Sequence, residues 1–421
     1  MFTEFEKHES NVRSYCRNFP IVFNGAKGGK LYSENGEEYI DFFAGAGAMN
    51  YGHNNPHIKN KILEYLSKDC IIHALDMYTV EKRNFIRTFC ENILEPKNLD
   101  YKIMFCGSTG TNAVEAALKL ARKNTKRTNV FAFSGAFHGM TLGSLALTSD
   151  THSRGGAGVP LNNVTFMPYS NQFDDWKKSI EYIEWAIKDD HSGIDRPAAM
   201  ILETIQAEGG INVADENWLR EIRRICSEND IIMICDDIQV GVCRSGEFFS
   251  FERAGIVPDM VVMSKSISGF GLPMSILLIK PELDIFTPAE HNGTFRGNQL
   301  AFVGAAAGIE FYKQADLPGI VKKNEAIIKE FLESEILPIN SKLKIRGMGM
   351  IWGIDFSEID SALSKTAMQE CVKNGVVIER AGCGDCVLKI LPTLVIEEED
   401  LRKGLQVVKN AVEKVLKDCG K

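Results

Sequence analysis

The chain has 421 residues, with 48 Lys and Arg against 56 Asp and Glu and a formal net charge of -8. This balance gives no general attraction to nucleic-acid phosphates or anionic lipid surfaces, so neither is expected as a partner. Hydrophobic residues at 44% and charged residues at 25% are ordinary for a soluble protein, no run approaches a membrane span, and the length predicts two domains sharing an interface.

The opening stretch MFTEFEKHESNVRSYC mixes acids and bases without an apolar leader-like segment, so a cytoplasmic location is expected. The 11 cysteines are scattered and odd in number. Cys106, Cys226 and Cys235 sit in apolar runs, which suits buried thiols better than a disulfide framework. Cys383-Gly-Asp-Cys386 has no second pair or histidine at zinc spacing, and no metal is expected.

From Tyr101 onward short apolar runs alternate with helical patterns. Ile103 to Cys106, Val130 to Phe133, Ala198 to Leu202, Ile231 to Cys235 and Met260 to Met263 read as strands, and Ala113 to Lys123 as a helix. Such runs lack period-two alternation and suit strands covered on both faces, so the middle of the chain is an α/β unit with a wound parallel sheet. The C-terminal part predicts an amphipathic stretch over 324–333, strands over 350–356 and 387–391, and a closing helix over 398–417, hence a smaller α+β unit.

Ligands gather at the carboxyl ends of strands in open α/β sheets, and four such ends bear suggestive residues. Cys106-Gly-Ser-Thr-Gly-Thr-Asn112 opens a helix whose first amides suit a phosphate, although the same residues serve as ordinary caps. Phe137-His138-Gly139 offers an aromatic ring that either stacks on a cofactor or packs in the core. Asp236, after Ile-Ile-Met-Ile-Cys, needs a cation or hydrogen-bond donors to stay ionised there, and a protonated pyridine nitrogen is such a partner. Lys265 ends an apolar strand before Ser266-Ile-Ser-Gly-Phe-Gly271, where desolvation lowers its pKa and makes the amine nucleophilic.

Taken in order, these segments resemble the class III (ω-) aminotransferases. The resemblance extends through Tyr51-Gly-His-Asn-Asn-Pro56, Glu203-Thr-Ile-Gln-Ala-Glu-Gly-Gly210, Asp236-Asp-Ile-Gln239, Ser264-Lys265, His291-Asn-Gly-Thr-Phe-Arg-Gly-Asn298 and Arg346-Gly-Met-Gly-Met-Ile-Trp-Gly353. It implies the fold-type I architecture of aspartate aminotransferase: a small-domain segment over 1–55, a large cofactor-binding domain over 56–305 and a C-terminal small domain over 306–421. It also implies pyridoxal 5'-phosphate, held as a Schiff base on Lys265. Gly110 and Thr111 would bind its phosphate, Phe137 would stack on the ring, Asp236 would pair with the pyridinium nitrogen and Gln239 would reach the phenolic oxygen. His138 and Glu203 complete the cofactor contacts, and Thr294 would touch the phosphate of a partner subunit in a homodimer or larger assembly.

Within that class the wording is most similar to the diaminobutyrate–2-oxoglutarate aminotransferases, in Leu75-Asp-Met77, Thr109-Gly-Thr-Asn-Ala-Val-Glu115, Glu208-Gly-Gly-Ile-Asn-Val213 and Glu290-His-Asn-Gly-Thr-Phe-Arg-Gly297. The implied reaction moves the amino group of L-glutamate to L-aspartate 4-semialdehyde, through alternate binding of a small amino donor and an aldehyde acceptor. Ornithine- or γ-aminobutyrate-type ω-aminotransferases, aminomutases and racemases share the pattern, and a non-catalytic relic would have lost Lys265 or Asp236. Departures are Thr204 for Pro, Asp237 for Glu, Ser108 where Pro is usual, and Val240-Gly-Val-Cys243. Lys389, in Val387-Leu-Lys-Ile-Leu-Pro392, stands where many members place a carboxylate-gripping arginine. Either it holds a substrate carboxylate, with Glu208 as a further substrate contact, or it is an exposed strand lysine.

Overall fold

In the computed structural model, which describes residues 2–420, the chain opens with a meander of β1 (Phe23–Lys27), β2 (Lys30–Ser33) and β3 (Glu38–Asp41). The central sheet follows, from β4 (Lys102–Phe105), β5 (Val130–Phe133), β6 (Val164–Met167), β7 (Ala199–Leu202), β8 (Ile232–Asp236), β9 (Met260–Met263) and β10 (Ile276–Ile279). Its spatial order is β4-β10-β9-β8-β7-β5-β6. Neighbours are parallel except at β10, which runs antiparallel to both β4 and β9. The mostly parallel α/β sheet expected from the apolar runs is therefore present.

Two of its strands escape the apolar-run reading. β6 is an edge strand, only half-buried along most of its length and interrupted by Thr165, so its hydrophobic signal is weak. β10 is fully buried and apolar throughout, but it enters against the direction of its neighbours. Helix α1 (Gly110–Thr125) lays Ala113, Val114, Ala117, Leu118 and Ala121 on the sheet, where small side chains permit close approach.

The C-terminal part contains β11 (Lys344–Met348), β12 (Ile351–Asp355), β13 (Val376–Val377), β14 (Glu379–Ala381) and β15 (Val387–Ile390). The antiparallel sheet β11-β12-β15-β14 follows from these, while β13 pairs in parallel with β3 and so draws the two ends of the chain into one sheet. The closing helix α2 (Glu398–Asp418) buries Leu401, Leu405, Val408, Val412 and Val415. Gly404 is required on that face, because a Cβ there would meet the ring of Phe42 at 2.4 Å.

One buried cation ties distant segments together. Arg244, fully buried, donates to the carbonyl of Met350 at 2.9 Å, to the carbonyl of Pro392 and to Asn50 Oδ1 at 2.6 Å. Arg244→Met keeps most of the volume and leaves three buried acceptors unpaired. It should cost about 3 kcal/mol or more of stability, read as a lowered denaturant midpoint relative to the parent.

Candidate active site

Four loops leave the sheet at the same edge. Glu203 follows β7, Asp236 ends β8, Lys265 stands two residues beyond β9, and Gly110 opens α1 after β4. They line one cavity of about 150 Å³, together with Thr111, Phe137, His138, Glu208 and Gln239. Lys389 lies behind this wall, hydrogen-bonded to Glu208, whereas Thr294 is exposed at a distance, its carbonyl accepting from His73 Nε2 at 2.7 Å.

The buried Asp236 carboxylate meets His138 Nδ1 at 2.7 Å through Oδ2, and its Oδ1 accepts from the Ile238 amide at 3.1 Å. Burial works against a charged imidazole, but the Asp236 carboxylate outweighs it and holds the His138 pKa above its usual value. The opposite ring atom, Nε2, is buried without a hydrogen-bond partner in this structure. Close by, Glu203 accepts from the Phe137 amide at 3.0 Å, and burial pushes its carboxyl up to about 7.

Lys265 begins a short 3-10 turn with φ of 52°, a left-handed conformation that costs a non-glycine residue about 1 to 3 kcal/mol. Its amine donates to the carbonyl of Ala46 at 2.8 Å. Burial lowers its pKa, opposed chiefly by the Glu208 carboxylate. The backbone strain is thus located at the one lysine among the described residues that lines the cavity.

Lys389 is not an exposed strand lysine: its side chain is 0% exposed, with Nζ 2.8 Å from Glu208 Oε1 and 2.7 Å from Glu379 Oε1. Gln239 joins the cluster, donating to Glu208 Oε1 at 3.1 Å and to the Ala46 carbonyl at 3.0 Å. Burial disfavours the Lys389 ammonium, yet the two carboxylates more than offset it and its pKa is raised. Glu379 is the residue that sequence reasoning missed. Its signal was the one that exposed Asp236, an acid closing the apolar run Val376-Val-Ile378.

At the start of α1 the Thr109 side chain makes no capping hydrogen bond, which leaves the first amides for an anion. Thr111 Oγ1 bonds Thr141 Oγ1 at 2.7 Å and also Ser144 Oγ. Gly110 lies so close to the next loop that a Cβ would meet Ile238 Cδ1 at 2.5 Å.

The profile of the class-III aminotransferases matches residues 12–412. The chain belongs to this family. Among curated relatives, the diaminobutyrate–2-oxoglutarate transaminase of Wolinella succinogenes is 49% identical over 415 residues, covering 98% of this chain and 96% of the relative. The enzyme of the same name from Sporosarcina pasteurii is 50% identical over 414 residues, covering 98% and 97%. Of solved structures, ornithine aminotransferase from Toxoplasma gondii superposes with a TM-score of 0.85 at 23% identity, covering 100% of this chain and 95% of the other. An S-selective transaminase from Arthrobacter sp. gives 0.87 at 23% identity, covering 98% and 97%. Both share the fold.

The class-III aminotransferase uses pyridoxal 5'-phosphate, and the cavity's groups fit it. Uncapped amides at Gly110 and Thr111 suit a phosphate, a buried carboxylate at Asp236 suits a protonated ring nitrogen, and the Lys265 amine suits an aldehyde. A Cβ at Gly110 would crowd both Ile238 and Ser264, which line the same cavity. Gly110→Ala should weaken cofactor binding about tenfold or more, since Ile238 must be pushed toward the cavity; titration of the apo-protein with cofactor, followed by absorbance, measures it.

Proposed function

We propose that this aminotransferase moves an amino group from L-glutamate to L-aspartate 4-semialdehyde, giving L-2,4-diaminobutyrate and 2-oxoglutarate. The observation that supports this most is near-full-length identity of 49% and 50% to enzymes named for that reaction. The structural neighbours, at 23% identity, bear on fold alone and favour no ornithine substrate.

When bound, pyridoxal phosphate supplies the electron sink for the carbanion at the substrate Cα. In this reading Lys265 holds the cofactor covalently and, once released, moves the proton at that carbon; its lowered pKa leaves a larger share of free base for the task. Asp236, fixed by His138, keeps the ring nitrogen protonated. Phe137 stacks on the ring, Gln239 reaches its phenolic oxygen, Glu203 buttresses Phe137 through the amide, and Lys389 receives the substrate carboxylate in place of Glu208.

The reading includes two lobes, 56–305 and the joined segments 1–55 and 306–421, and a homodimer in which Thr294 reaches the partner's phosphate. A second copy is supported by the exposed apolar side chains Ile71, Ile72, Met77, Tyr78 and Phe295, of which Tyr78 lines a cleft of about 970 Å³. No helix among the described residues is long and apolar enough to cross a membrane, which fits a cytoplasmic enzyme.

Borohydride treatment of the holoenzyme should fix the reduced cofactor on the peptide containing Lys265. Lys265→Ala should show no such adduct and lose at least about 10³-fold in turnover; an active, adduct-bearing variant would overturn the assignment. Offered glutamate with a panel of aldehydes, the purified enzyme should prefer aspartate 4-semialdehyde. Equal rates with the ornithine- or γ-aminobutyrate-derived aldehydes, or turnover of one amino acid without any acceptor, would redirect the substrate reading.

A further inference from the structure

The two carboxylates on Lys389 are not equivalent. Glu208 lies on the turn between Ile205–Gln206 and Asn212–Val213, next to Gly209 and Gly210, lines the cavity and keeps its side chain 28% exposed. Glu379 lies on β14, directly opposite Lys389 on β15 in the antiparallel register, and its side chain is 5% exposed. A carboxylate on a partly open turn is exchangeable for that of an arriving amino acid. A carboxylate locked in strand register is not.

A wholly buried ammonium needs a counterion at every stage of the cycle. Were Glu208 its only partner, exchange would require Lys389 to stand bare, or to neutralise, before the substrate carboxylate arrived. Glu379 removes that requirement.

We propose that Glu379 is a positioning residue for amino-acid binding: it keeps the Lys389 ammonium charged and fixed behind the cavity wall, so that Glu208 alone is exchanged for the substrate carboxylate. The proposal rests on the reading of Lys389 as the carboxylate contact.

Four ionisable groups act on Glu379: Lys389 from β15, Glu208 from the glycine turn, Lys265 from beyond β9 and Tyr15 from the N-terminal segment. Burial pushes the Glu379 carboxyl up to about 7, with Lys389 opposing. Above that pH the carboxylate is ionised and the pair with Lys389 is complete. As pH falls through about 7 the carboxyl takes up a proton, Glu208 becomes the only counterion, and glutamate must compete harder for Lys389.

The test is the glutamate KM and kcat of the holoenzyme measured across neutral pH. The parent KM should fall as pH rises through about 7. Glu379→Gln keeps the shape without the charge, and should raise KM about tenfold above neutrality while abolishing its pH step, with kcat changed far less. Glu379→Asp, which retains a carboxylate, should restore a pH step at a shifted position. That variant decides the matter if Glu379→Gln does not fold, because an unmoved step assigns the titration elsewhere and overturns the proposal. A purely structural role would lower kcat and thermal midpoint together and leave the KM step in place. Lys389→Met separates the two readings. A sharp rise in its glutamate KM with no effect of Glu379→Gln removes Glu379 alone, and an unchanged KM in Lys389→Met removes both.

Discussion

The bond between Asp236 and His138 is the interaction on which the site depends. Asp236 ends a strand whose five residues are all buried, and a lone carboxylate there would be driven to its neutral form. His138, equally buried, meets it at 2.7 Å, and the Ile238 amide takes the other oxygen. The carboxylate raises the His138 pKa, and both of its oxygens are hydrogen-bonded at the end of an apolar strand that faces the cavity. Without that pairing the Asp236 carboxylate would lose the side-chain partner of its Oδ2.

The opposite side of the cavity applies the same rule with the signs reversed. Two amines, Lys265 and Lys389, are placed where water is scarce, and Glu208 acts on both. Their pKa values move in opposite directions, because Lys389 has two carboxylates in contact while Lys265 hydrogen-bonds only a carbonyl, with carboxylates acting from farther off. The two carboxylates favour the ammonium form at Lys389, and burial favours the free base at Lys265. The division of labour follows from how many acids the fold sets beside each, with no difference in the side chain itself.

Much of this was legible because strands buried on both faces advertise themselves as short apolar runs, and the polar residue after each run marks the ligand edge. β4, β5, β7, β8 and β9 and the residues beyond β4, β5, β8 and β9 were found this way. The edge strand β6 was not, since half its surface faces away from the core. The β1 to β3 meander is mostly half-exposed, with a β-bulge at its start, and is stabilised by pairing with β13 more than three hundred residues later, a contact no local pattern encodes. Glu379 was hidden for a related reason. Its meaning comes from the Lys389 it faces across a hairpin, and only the register of β14 against β15 reveals the pair.

The two departures from the family wording in the motifs of β7 and β8 meet in space, a fact the linear motifs conceal. Thr204, standing for Pro, donates through Oγ1 to Ser250 Oγ at 2.6 Å, and Ser250 in turn donates through its hydroxyl to Asp237, which stands for Glu. The Ser250 amide also points at Asp237, at 3.2 Å from Oδ2. All three side chains are buried, and burial pushes the Asp237 carboxyl up to about 7. The shorter acid also fits beside Gly241, where a Cβ would meet its Oδ2 at 2.4 Å. A hydroxyl at 204 supplies what proline has no means to give, a donor that orients Ser250 toward the carboxyl. The two residues therefore form one hydrogen-bonded unit with Ser250, in which each buried polar side chain has a partner. Asp236, one residue before Asp237, bonds His138 and takes no part in that unit, so the chain through Thr204, Ser250 and Asp237 and the pair of Asp236 with His138 use separate partners.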